Sequence, residues 1–406
     1  MAVMVEIDTN GPKIDNLGRI IYDHAQEIPY SEGASRWQER INQIELTGGN
    51  SSHQVVVIPT NDLTEKLSHL DSYPFADKYP VAIAKVGKFP DTEDLDRVEN
   101  EVPGVKHITI IASPTTYADL FHIAQTADHY KEVLNTNHVT LFVPYLMTTR
   151  QDKNINSRTG EYEPVSINIH STINALSGSI DSFIVMEPHS FATQTEAAKR
   201  NRALFPVTPW RFLMNEATRR TVKIDGKKFW FTKENTLNVR PDIGRNIAAT
   251  RSADYYGLEH ISFDKKRISP TKTDLSLSVE DQKRVKDMMC VVYDDELETC
   301  GTIGTMAEKL TEYQAMGLVI VAVHGKFTGE WKKNIASPMI RKIFISDSFK
   351  PIGNIEPYIK SGKIEVISLT KNIKEIIEAD LKGVNFWLDP NYSHMVLQTN
   401  GQDEKC

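Results

Sequence analysis

Two adjacent acids, Asp294 and Asp295, end an apolar run, and Glu298, Thr299, Cys300, Gly301 and Thr302 follow before a helical pattern begins. That order has chemical content. Backbone N–H groups at a helix start, joined by the hydroxyls of Thr299 and Thr302, can hold a phosphate. Gly301 lets the backbone come close to the anion. Paired carboxylates beside such a cradle suit the vicinal hydroxyls of a sugar, either directly or through hydrated Mg²⁺. The plainer alternative is a capped helix after a strand that ends in acids.

Other polar clusters could share this chemistry. VPYLMTTRQDK (143–153) closes in Arg150, Gln151, Asp152 and Lys153. The cations can neutralise phosphate oxygens and the amide can hydrogen-bond a purine. IVMEPHS (184–190) carries His189, RPDIGRN (240–246) carries Asp242 and Arg245, and FDKKRISP (263–270) carries Lys265 and Arg267. VGKFPDTE (86–93) offers Phe89 to stack on a base and Asp91 and Glu93 to accept hydrogen bonds. Each cluster alone also reads as an ordinary turn.

The elements that must position them are legible as apolar runs at 55–60, 107–114, 139–145, 181–190, 290–295, 318–325, 342–348 and 363–369. These runs are continuous rather than alternating, as in strands covered on both faces. Helical stretches such as 117–133 and 304–314 separate them, which is the pattern of parallel sheets joined by crossovers. Several polar clusters sit just after a run, at the carboxyl end of a strand, where ligands bind in open parallel sheets. With 406 residues, two α/β domains are expected. A break near 164–175 divides them into 51–165 and 166–406. Residues 1–50 read as an extension with its own helix over 35–44, and 225–234 as a β-hairpin insertion. The last strand and helix are candidates to pack back on the first domain.

Apolar residues make up 40% and charged residues 25% of the chain, with a net charge of −7. That excludes disorder and argues against bulk nucleic-acid binding. Three irregularly spaced cysteines, Cys290, Cys300 and Cys406, form neither a disulfide framework nor a zinc pattern. A reducing compartment fits best. No apolar run is long enough to span a bilayer, and the first residues lack a basic flank followed by an apolar block, so a cytoplasmic location is expected.

In order and spacing, the five clusters at 86–93, 143–153, 184–190, 240–246 and 263–270 resemble those of the ribose-phosphate diphosphokinases (phosphoribosyl pyrophosphate synthetases), as does the 294–302 loop. The 294–302 loop also resembles that of phosphoribosyltransferases. The resemblance implies two tandem phosphoribosyltransferase-like domains, each a mainly parallel sheet flanked by helices. It implies transfer of the β,γ-diphosphate of ATP to the anomeric hydroxyl of a ribose 5-phosphate unit, with Mg²⁺. By matching position, Asp294, Asp295, Glu298, Thr299, Cys300, Gly301 and Thr302 hold the ribose phosphate. Arg150, Gln151, Asp152 and Lys153 hold ATP, with Phe89, Asp91 and Glu93 around its base. His189, Lys265 and Arg267 are catalytic, and His189 and Asp242 serve the metal. The adenine segment is often supplied by a neighbouring subunit, which implies a homodimer or larger homo-oligomer.

There are departures from the family pattern. Glu298 stands where Asp is usual, Cys300 where a small residue is usual, Glu187 and Pro188 replace Asp-Leu, and Arg245 and Asn246 follow Gly244. The extension, the insertion and the changes at Glu298, Cys300, Arg245 and Asn246 mark a divergent member, and the chain is similar to a phage branch of the family that uses ADP-ribose, making ADP-ribose pyrophosphate for NAD⁺ synthesis in the host cytoplasm. Arg245 is then placed to meet the extra phosphate. Ribose 5-phosphate and ADP-ribose both stand as acceptors. A non-catalytic regulatory partner and a phosphoribosyltransferase are the alternatives.

Overall fold

The computed structural model describes residues 28–46, 53–60, 62–68, 79–155, 161–220, 222–224, 227–240, 247–267 and 273–397. Among them the apolar runs form two main sheets. The first holds β1 (His53–Val57), β2 (Val81–Lys88), β3 (Asp94–Glu99), β4 (His107–Ile111), β5 (His138–Val143), β6 (Ser182–Met186) and β7 (Ala203–Val207). Its strand order is β3-β2-β1-β4-β5-β6-β7. Only the β2–β3 pair is antiparallel.

An antiparallel hairpin follows, formed by β8 (Val222–Ile224) and β9 (Lys227–Phe229). Then come β10 (Thr236–Arg240), β11 (Glu259–Ser262) and a second antiparallel hairpin, β12 (Asp264–Arg267) with β13 (Thr273–Ser276). The strands β14 (Met289–Leu297), β15 (Gly317–Gly325), β16 (Ile340–Ser346) and β17 (Ile364–Ile367) complete the second sheet. Its order is β11-β10-β14-β15-β16-β17, parallel throughout.

Period-two alternation explains why the runs are continuous. Val55, Phe142 and Ile184 of the first sheet face the same core as Val291, Tyr293, Val319 and Val321 of the second. Their neighbours Val56, Leu141 and Val185 face the helices on the outer side of the first sheet. Cys290, Val292 and Ile320 do the same on the outer side of the second. The central strands are apolar on both faces because each face is covered.

Two expectations need correction. The first sheet runs past the boundary placed near 165, because β6 and β7 pair onto β5 and each other. The helix expected over 35–44 spans Tyr30–Leu46 and is no detached extension: it buries Trp37, Ile41 and Ile44 in the folded body, the first two in the shared core. Trp37 lies 5.9 Å from both Phe205 of β7 and Phe386 near the C-terminus. The C-terminal segment reaches the first sheet directly, since Val396 bridges Val207. No helix among the described residues is long and apolar enough to cross a membrane.

At the amino ends of β1, β4 and β5, the register aligns three buried histidines, His53, His107 and His138. Burial holds all three below the ordinary histidine value, with His107 lowered to about 4. The unfolded chain protonates these rings near about 6.5, so between that pH and the lowered folded values it binds more protons than the folded chain. Stability is therefore expected to be full above about pH 7 and to fall as pH drops towards about 4. Denaturant midpoints measured across that window check this. A flat profile would mean that the rings are charged in the folded chain.

Candidate active site

The segment from β14 into the helix Gly301–Glu312 has the form expected from its residues: strand, acids, short loop, helix. Cys300 caps the helix with a left-handed backbone, φ 57°, and its side chain makes no cap hydrogen bond. The first helical N–H groups are thus left for another acceptor. The loop is pinned from below, where Asn334 Nδ2 donates to Thr299 O at 2.7 Å. Cys300 is buried, which pushes its thiol up to about 12 and makes it a packing residue rather than a nucleophile.

Strand alternation turns Tyr293 and Asp295 toward the first sheet. There Asp295 meets His189, which follows the end of β6: the imidazole Nδ1 lies 2.7 Å from Asp295 Oδ2. Burial works against charge on both groups. Their hydrogen bond and mutual attraction outweigh it, holding Asp295 below the usual carboxylate range and raising His189. Burial and then the charge of Asp295 push Asp294 well above the usual range.

Arg150, in the loop after β5, reaches the same place. Its guanidinium donates to Glu298 and lies 3.4 Å from Glu296 Oε1. His189 and Arg150 are therefore both drawn to the 294–302 segment, across 106 and 148 residues of chain.

The other expected site residues divide. Gln151 Nε2 donates to Lys153 O at 3.3 Å and stays within its own loop, beside Asp152. Phe89, Asp91 and Glu93 occupy the exposed β2–β3 turn, where Phe89 N donates to Glu93 O at 2.8 Å and Glu93 N to Asp91 Oδ1 at 3.1 Å. That turn is on the carboxyl edge of the first sheet, but β1 and β4 stand between β2 and β5. Lys265 and Arg267 lie on β12, a hairpin strand directly after β11. Asp242 and Arg245 lie outside the described residues.

No protein-family model matches the chain. Curated relatives do. A ribose-phosphate pyrophosphokinase of Clostridium tetani is 25% identical over 303 residues, covering 73% of this chain and 86% of that protein. One of Campylobacter jejuni is 25% identical over 307 residues, covering 73% and 87%. One of Thermotoga maritima is 23% identical over 341 residues, covering 83% and 94%. Among solved structures, the phosphoribosylpyrophosphate synthetase of Mycobacterium smegmatis shares the fold with a TM-score of 0.62 at 18% identity, over 82% of this chain and 100% of that one. Over these lengths the chain is similar to ribose-phosphate pyrophosphokinases at 23–25% identity, and it shares the synthetase fold.

Four residues that the sequence did not single out complete the cluster. Lys326, just past β15, pairs with Glu296 at 2.6 Å and lies 5.0 Å from the centre of the Tyr145 ring. Glu296 thus bridges Arg150 and Lys326 and balances two cations. His324 is buried, its Nδ1 2.8 Å from Ser348 Oγ, and burial lowers it to about 4. Tyr293 donates to Glu187 at 3.2 Å. A polar residue at the carboxyl end of a parallel strand was the available signal for Glu296, His324 and Lys326. Tyr293 carried none, because a buried tyrosine in an apolar run looks like core.

Proposed function

We propose that the chain transfers the β,γ-diphosphate of ATP to the anomeric hydroxyl of a ribose 5-phosphate unit. The anomeric oxygen bonds to the β-phosphorus, the bridge to the α-phosphate breaks, and AMP leaves with the electron pair. The hydroxyl proton passes to solvent or the phosphates. Such transfer depends mainly on positioning and charge neutralisation.

The observation that carries the reading is convergence. An ATP-type segment, through Arg150, and a strand-end histidine, His189, both bond the acids of the sugar-phosphate-type loop. Thr299, Gly301 and Thr302 hold the 5-phosphate at the helix start, with Cys300 packed beneath, while Asp294, Asp295 and Glu298 orient the ribose hydroxyls. Arg150, Gln151, Asp152 and Lys153 hold the triphosphate side. His189, whose charged form Asp295 favours, is placed to donate to a phosphate oxygen. Phe89, Asp91 and Glu93 serve the adenine of a second copy, since their turn faces solvent, and this makes the working form at least a homodimer.

Among the described residues no group of three or more His, Cys, Asp or Glu side chains forms a metal cage. Mg²⁺ does not ask for one: it takes one or two carboxylates, several waters and substrate phosphates. The half-buried Asp294 and Asp295 offer such oxygens. These two residues and His189 would hold the ion, and the resemblance assigns the same task to Asp242. When bound, it supplies positive charge to the phosphate oxygens.

The relatives' name favours ribose 5-phosphate as acceptor. ADP-ribose is the second reading, favoured by Glu298, Cys300 and the β8–β9 hairpin, with Arg245 for the extra phosphate. Product identification by mass spectrometry, with ATP, Mg²⁺ and each acceptor, tests both. AMP release with neither acceptor overturns the function and revives the regulatory-partner reading.

Lys265 and Arg267 sit on the β12–β13 hairpin, suited to cover the migrating diphosphate. Lys265→Ala is expected to lower kcat by about 10²-fold or more, with the KM for ATP changed less than about threefold. Equal losses in both would remove the lid role.

A further inference from the structure

The turn that presents His189 is built around a buried acid that the proposed reaction does not use. Glu187 follows β6, is 5% exposed, and takes a left-handed backbone with φ 42°. Both features are unfavourable for a glutamate, which loses solvation on burial and has a Cβ that resists positive φ. They persist where surrounding contacts over-determine them. Here the Glu187 N–H donates to Val207 O at 2.7 Å, and its carboxyl accepts from Tyr293 Oη at 3.2 Å.

The placement is paired. Glu187 stands two residues before His189, and Tyr293 two residues before Asp295. The Glu187–Tyr293 contact therefore spans the two sheets alongside the His189–Asp295 contact. Filling space alone would need no carboxyl, and the strained backbone alone would favour glycine or asparagine.

We propose that Glu187 is a positioning residue whose carboxyl, tied to Tyr293 on β14, braces the strained turn that aims His189 at Asp295. Mutual support of this kind fixes one imidazole orientation without touching substrate. The kinetic side of this inference rests on the diphosphotransfer proposed above, whereas its structural side does not.

The test compares Glu187→Ala, Glu187→Gln, Tyr293→Phe and the Glu187→Ala/Tyr293→Phe double variant, each checked for folding by its melting profile. In a crystal structure of Glu187→Ala, the His189 Nδ1 to Asp295 Oδ2 distance is expected to exceed about 3.5 Å, beyond hydrogen-bond length. Glu187→Gln, which keeps an acceptor for Tyr293, is expected to retain that contact. Kinetically, Glu187→Ala and Tyr293→Phe each lower kcat by about 10–100-fold with little change in KM. The double variant is no worse than the poorer single, and Glu187→Gln stays within about fivefold of wild type. Retention of the contact in Glu187→Ala overturns the proposal, as do losses in KM alone or additive losses in the double variant. If wild type transfers no diphosphate, the proposed function fails, while the crystal structures still decide the brace. Should Glu187→Ala not fold, the crystal structure and kcat of Tyr293→Phe, set against those of Glu187→Gln, decide the brace in its place.

Discussion

Asp295→Asn is expected to lower kcat by on the order of 10²–10³-fold while the protein stays folded. The substitution keeps the shape and removes the charge. Asp295 is the partner that raises His189, at 2.7 Å, and it neighbours Asp294 at the start of the 294–302 segment. Without that charge the imidazole loses the attraction that offsets its burial, and a neutral ring offers one fewer donor to an anionic substrate. The pair of carboxylates proposed to orient the ribose hydroxyls also becomes a single one. Steady-state rates of AMP formation at pH 7 check this. Turnover within about fivefold of wild type would place the chemistry elsewhere.

The second large effect concerns the clasp between the two ends of the chain. Arg40, in the helix Tyr30–Leu46, is buried and pairs with buried Asp380 of the helix Thr370–Leu381 at 2.6 Å. The same guanidinium donates to Thr140 of β5 at 2.8 Å and to Ser182 of β6 at 3.0 Å. Removing one partner of a buried pair leaves the other charged and unpaired, at a cost of about 3–5 kcal/mol. Asp380→Ala is therefore expected to lower the free energy of unfolding by that amount, read from urea denaturation at pH 7. The double variant Arg40→Met/Asp380→Leu is expected to recover much of the loss, because it removes both charges and fills the space. A cost below about 1 kcal/mol for Asp380→Ala would show that the clasp is not what joins the ends.

How much was readable from residue order depended on distance along the chain. The 294–302 segment could be read because its parts lie within nine residues, and a strand running into a capped helix is a local structure. The parallel-sheet class was legible from apolar runs without alternation. By contrast β7, ALFPV, carries no clear strand signal: Pro206 argues against a strand, yet β7 stands at the sheet edge, where a missing N–H costs little. The helix Tyr30–Leu46 was legible over 35–44, but nothing local said that Trp37 and Arg40 face the core rather than solvent.

Sheet membership had to come from the fold. A break near 165 is visible in the chain, but whether β6 and β7 join the first sheet is decided by hydrogen bonds to β5, which no local pattern encodes. The same holds for the site. Residue types named Arg150, His189, Asp295 and Glu298 as capable of binding phosphate and sugar, since charge and donor geometry are properties of the side chain. That His189 meets Asp295 and Arg150 meets Glu298 follows only from two sheets packed across a common core, which bring together strand ends more than a hundred residues apart. Glu187 and Tyr293 belong wholly to that second level: separately they read as a departure and a core residue, and only packing makes them partners.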